Sequence, residues 1–136
     1  MAHWRQAGID TVVSLLTADE EASLHLKDEA AQAIAHGMFF ISFPLLDRQV
    51  PASETEFTRK AQQLETELAN GRNVVVHCRQ GIGRTGLVAA GLLLAKAFDP
   101  EAALNLLSSA RGIPVPETLD QRRWLDRYAN QFAVVR

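Results

Sequence analysis

Cys78 and Arg84, with five residues between them, are the residues whose types and spacing point most directly to chemistry. They lie in HCRQGIGRTG, His77 to Gly86. A β-type run, Asn73 to His77, leads into the cysteine, and an apolar helical stretch, Leu87 to Phe98, follows the arginine. Strand, glycine-containing loop and helix in that order build an anion cradle. The backbone N–H groups of Arg79, Gln80, Gly81, Ile82, Gly83 and Arg84 turn toward one centre, and the helix N-terminus adds its partial positive charge. The glycines let the backbone approach a bound oxyanion closely. A thiol in such a cradle is expected to ionise far more readily than a free cysteine, with a pKa of roughly 3.5–7.5 instead of about 8.5. A thiolate beneath a phosphate-shaped pocket is a nucleophile aimed at phosphorus.

Each residue has a plainer alternative. A cysteine after a buried strand is often a small core hydrophobe, but here the whole strand–loop–helix context accompanies it. Arg84 as a solvated charge would not need its planar fork, which suits two phosphate oxygens at once. Thr85 is either a helix N-cap or a hydroxyl that hydrogen-bonds the Cys78 sulfur as the enzyme–phosphate bond breaks. His77 alternates to the strand face opposite Cys78 and reads as an organiser of the loop rather than a base.

Expelling an alkoxide or phenolate from phosphorus requires a proton donor, which the cradle lacks. Asp47 in FPLLDRQVP is the candidate, just past a strand over 38–43, in a loop bracketed by Pro44 and Pro51. Glu54 and Glu56 compete, but they open a helix. Asp99 and Asp120 have helix-start duties, and Asp10 precedes a strand, so it belongs at the opposite end of the sheet. His3, His25, His36 and His77 show no ligand spacing, and no metal or other cofactor is expected.

The elements that must position these residues follow from pattern. The chain has 136 residues, 47% of them hydrophobic, enough for a single domain over 1–136 with a real core. Thr11 to Leu16 and Met38 to Phe43 read as strands before the one at 73–77. Residues 2–7 suggest a short helical turn ended by Gly8. Thr17 to Glu20 is a capping box, and its helical region breaks near Leu26 and stops at Gly37. Ser53 to Glu56 is another; its helix runs to Asn70 and turns Phe57, Ala61, Leu64 and Leu68 inward. Asp99-Pro100 starts a helix ended by Gly112, and Thr118 with Gln121 caps a last one. The alternation predicts an α/β fold of three layers, αβα, with a central, mostly parallel sheet of about four strands flanked by helices. Ligands in such sheets bind beyond the carboxyl ends of the strands, where Cys78 stands.

Composition narrows the function classes. A formal net charge of −2, with both signs mixed along the chain, argues against a nucleic-acid partner. The most apolar stretch is too short to span a bilayer, so no membrane partner is expected. One cysteine excludes an internal disulfide and fits a reducing, cytoplasmic setting.

HCRQGIGRTG resembles the signature of the cysteine-dependent protein-tyrosine and dual-specificity phosphatases. The segments GIDTVVSLLTADE, FPLLDRQVP and VPETLDQ are similar to those of small atypical dual-specificity and cyclin-dependent-kinase-inhibitor-3-like phosphatases. The separation of Asp47 from Cys78, about thirty residues, fits as well. The resemblance implies a protein-tyrosine-phosphatase-like fold, Asp47 in the general-acid loop, and Gln121 as a residue that helps position the attacking water, alongside its cap role. It also implies removal of phosphate from phosphotyrosine, and often phosphoserine or phosphothreonine, in a protein partner. Two departures stand out. Relatives carry one or two further strands before the segment at 8–16, so an unprotected sheet edge is expected. The long phosphotyrosine-recognition loop of large tyrosine phosphatases is missing, which implies a shallower pocket. Arg79 is the one extra basic residue in the cradle, which ranks lipid phosphates below protein or small phosphoesters. The competing readings are a phosphate-binding module without turnover, and thiol chemistry of the rhodanese or arsenate-reductase type.

Overall fold

The computed structural model describes residues 2–46, 48–78 and 83–132. Its contacts divide the chain into two compact units, Met1–Leu45 with Gln62–Gly81, and Leu46–Ala61 with Ile82–Arg136.

The first unit holds the sheet. Strands β1 (Thr11–Ser14), β2 (Phe39–Ser42) and β3 (Val74–His77) pair in parallel in the order β2-β1-β3. The sheet of the described residues therefore has three strands, one fewer than the alternation suggested. The strands are also shorter than the apolar runs that predicted them, but their pairing continues past them. Phe43 N–H donates to the Ser14 carbonyl at 2.8 Å, Leu15 N–H to that of His77 at 2.9 Å, and Leu45 N–H to that of Leu15 at 3.0 Å. Every residue of β1 is buried, as expected of a central strand covered on both faces.

The register aligns Val12 with Phe40 and with Val75. These three share one face, and there Ala33, Met38, Trp4 and Ile9 join them. That face is covered by α1 (Ala2–Gln6) and α3 (Glu29–Ala35). Between β1 and α3 runs α2 (Ala18–Ser23), opened by the predicted capping box: Thr17 accepts from the Glu20 N–H, and the Glu20 carboxylate accepts from the Thr17 N–H. The amino end of the sheet is tied by Asp10, whose carboxylate accepts from the Asn73 N–H at 2.8 Å and from Arg5 at 3.1 Å.

Helix α4 (Glu54–Ala69) begins in the second unit and ends in the first. Phe57, Ala61 and Leu64 are buried as its spacing predicted, but Leu68 is 49% exposed and Glu67 is buried in its place. Residues 67 and 68 both continue the inner row, at i+3 and i+4 from Leu64. Glu67 is stabilised there by an ion pair with Arg72, whose guanidinium also lies 4.4 Å over the Phe39 ring.

In the second unit α5 (Gly83–Ala95) packs against α6 (Pro100–Arg111) and α7 (Leu119–Ala129). Asp99 caps α6 by accepting from the Ala102 N–H, with Pro100 at its start and Gly112, at φ 72°, closing it in the left-handed region. Phe57 meets Trp124 and Tyr128 edge-on, at centroid distances of 4.9 and 5.1 Å, while those two stack on each other at 4.8 Å.

A Cβ on Gly91 would lie 2.6 and 2.9 Å from two carbons of the buried Phe57 ring, which the neighbouring aromatics hold in place. Gly91→Ala is therefore expected to destabilise the protein by about 1–3 kcal/mol, read as a lowered urea midpoint with unchanged slope. The Asn73 N–H, helped by Arg5, holds the Asp10 carboxyl below its ordinary value. Its contribution is full above about pH 4 and is lost as pH falls through the lowered value, because the unfolded chain takes up that proton first. Asp10→Asn should accordingly flatten the acid limb of stability against pH.

Candidate active site

Cys78 follows β3 directly and is half-buried. It leaves the sheet at the carboxyl end, where parallel α/β sheets place ligands. Its predecessor His77 lies on the sheet face of Val75, two positions away, so its ring faces α1 and α3. His77 Nε2 lies 2.8 Å from Oε2 of Glu29, a close contact short of hydrogen-bond geometry, and the imidazole sits 5.8 Å from the Trp4 ring. The expected organiser role thus acquires a partner that sequence reasoning missed. Glu29 opens an Ala-rich helix and reads there as a surface acid; only the fold shows it 6% exposed.

Arg84 is 2% exposed and sits in the first turn of α5. A guanidinium so enclosed presents its charge to a small volume instead of to bulk water. The helix starts at Gly83, four residues before the apolar run that predicted it. Thr85 is therefore inside the helix, and the N-cap alternative for it fails on position. It is half-buried. Gly83 lies against the Glu117 carboxylate so closely that any Cβ would collide with it. Gly86 faces Val115, whose methyl carbon would be 3.2 Å from a Cβ there.

Asp47, Arg79, Gln80, Gly81 and Ile82 lie outside the described residues. The chain next to Asp47 is anchored nonetheless. Arg48 pairs with Glu117 at 2.9 Å, and the Gln49 carbonyl accepts from Gln121 Nε2 at 3.2 Å. The Arg48–Glu117 pair is largely exposed on the arginine side, so it contributes little by itself. The buried amide of Gln121 contributes more. Its Oε1 accepts from the N–H groups of Glu117 and Thr118, both at 3.1 Å, while the backbone N–H of Gln121 donates to the Thr118 hydroxyl. The expected cap at Thr118 is present, and the Gln121 side chain also holds the Gln49 carbonyl. No group of three or more His, Cys, Asp or Glu residues suited to a metal ion occurs among the described residues. No helix among them is long and apolar enough to cross a membrane.

Comparison with known proteins places this arrangement. The family model Tc-R-P, the DSP-PTPase phosphatase of polymorphic toxin systems, matches residues 1–97. Cyclin-dependent kinase inhibitor 3 of Rattus norvegicus is 35% identical over 74 residues, which is 53% of this chain and 35% of that protein. The match spans about a third of the length of such curated relatives. The crystal structure of kinase associated phosphatase, with its catalytic-site cysteine replaced by serine, gives a TM-score of 0.84 at 25% identity, over 96% of this chain and 74% of that one. Tk-PTP in its active form gives 0.82 at 22% identity, over 96% and 84% of the two chains. The α/β fold expected from the alternation of elements, in the phosphatase-like form the resemblance implied, is the fold of these proteins. With the match extending over residues 1–97 and taking in both Cys78 and Arg84, the chain belongs to the Tc-R-P family of DSP-PTPase phosphatases.

Proposed function

We propose that residues 1–136 form a single phosphatase domain that hydrolyses phosphotyrosine, and also phosphoserine or phosphothreonine, in a phosphorylated protein. The observation that carries this reading is the position of Cys78 at the carboxyl end of a parallel strand, with five residues between it and an arginine enclosed in the first turn of a helix. A half-exposed thiol and a buried guanidinium fork are parts that thiolate attack on phosphorus requires.

In the first step the Cys78 thiolate attacks phosphorus in line. Arg84 and the main-chain N–H groups of Arg79 to Gly83 hold the equatorial oxygens. Asp47 gives its proton to the departing ester oxygen, so the alcohol leaves neutral and phosphate stays on sulfur. In the second step water attacks the cysteinyl-phosphate, and its proton passes to the Asp47 carboxylate. The S–P bond breaks, with Thr85 donating a hydrogen bond to the returning thiolate. Gln121 is assigned the orientation of that water in addition to its cap. Positioning and charge stabilisation supply most of the rate. A thiolate nucleophile needs a reducing setting, for which the cytoplasm is the proposed place.

Release of nitrophenol from para-nitrophenyl phosphate tests the reading. Cys78→Ser is expected to lower it by at least about a thousandfold. No release by the natural chain at any pH would favour a phosphate-binding module, and release that survives the substitution would take the nucleophile's role away from Cys78. Asp47→Asn should slow alkyl phosphates more than aryl phosphates, since the poorer leaving group depends more on the donated proton. Equal slowing of both would remove Asp47 from the acid's role. A panel of matched phosphopeptides then ranks tyrosine against threonine and serine.

A further inference from the structure

We infer that Glu29 is a positioning residue for Cys78, acting through the His77 ring. The inference rests on the reading of Cys78 as a nucleophile and goes beyond it by placing on helix α3 a residue on which the thiol's reactivity depends.

The first ground is energetic. A carboxylate that is 6% exposed is costly unless a partner offsets its desolvation. In the first unit that partner is His77, whose Nε2 lies 2.8 Å from Oε2, with side chains 18% and 5% exposed. The second ground is geometric. His77 is held at three points. Glu29 is at the far nitrogen of its ring, Trp4 is tilted 41° against the ring, and β1 engages the backbone, where the Leu15 N–H meets the His77 carbonyl at 2.9 Å. The third ground is connectivity. The next residue is Cys78, so contacts that hold the His77 ring and carbonyl restrain the backbone from which the thiol leaves the sheet. Glu29 and His77 are 48 positions apart in sequence and meet only because α3 covers the Val12–Phe40–Val75 face. A side chain that oriented nothing could have been any apolar residue at this depth, without the desolvation cost.

A pair that merely stabilises the first unit would act on folding and leave the thiol indifferent to which partner is removed first. A double-substitution cycle on Cys78 separates the two cases. The chain has one cysteine, so the rate of alkylation by iodoacetamide reports that thiol alone, with or without turnover. Rates of alkylation, together with kcat and KM for para-nitrophenyl phosphate, are compared for the natural chain, Glu29→Gln, His77→Asn and the double variant, each checked for an intact urea transition. Glu29→Gln should slow alkylation and lower kcat by about tenfold with little change in KM. The double variant should be no slower than His77→Asn alone. Effects that multiply, or a Glu29→Gln chain that alkylates like the natural one, would overturn the inference. If Glu29→Gln does not fold, the nitrogen spectrum of the natural chain's histidines decides: His77 should show one fixed ring state, and a ring averaging between tautomers would overturn the proposal. If the natural chain alkylates but releases no nitrophenol, the phosphatase reading falls, while the alkylation cycle still decides the role of Glu29.

Discussion

Parallel pairing of β1 with both of its neighbours is the constraint on which the first unit depends. Ser14 aligns with Ser42 on one side and with His77 on the other, so all three strands end together. The chain leaves each of them at one edge, where helices can begin and anions can be bound. A shift of one residue would carry His77 to the opposite face and away from α1 and α3. What forbids it is the row Val12, Phe40 and Val75, which closes over Ala33 and Met38. The place where Cys78 leaves the sheet is thus fixed by apolar packing three residues earlier.

Electrostatics refines what packing sets. At the amino end of the sheet Asp10 ties the start of β3 and Arg5 together, which is an exposed and local duty. At the carboxyl end an acid and an imidazole meet in a nearly enclosed space. The same residue types serve both ends, but desolvation makes the second pairing far more demanding of geometry than the first.

Local signals in the sequence were read well because they act over short distances. Thr17 with Glu20, Asp99 with the Ala102 N–H, and Thr118 with Gln121 each close a hydrogen bond within one turn, so spacing alone reveals them. Cys78 and Arg84 stand out by a spacing equally short. The early start of α5 was not legible, because Gly83 and Arg84 carry no apolar periodicity. Leu68 and Glu67 were exchanged because the helical period leaves both positions on the inner side until a partner such as Arg72 decides between them. Glu29 was invisible because its burial is made by strands far along the chain. The anchoring of residues 48 and 49 by the segment at 117–121 is equally nonlocal.

Gln121 carries a dynamic consequence. One enclosed amide closes the first turn of α7 through its oxygen and grips the Gln49 carbonyl through its nitrogen. Loss of that side chain would therefore loosen both at once, and fraying of the turn favours release of Gln49.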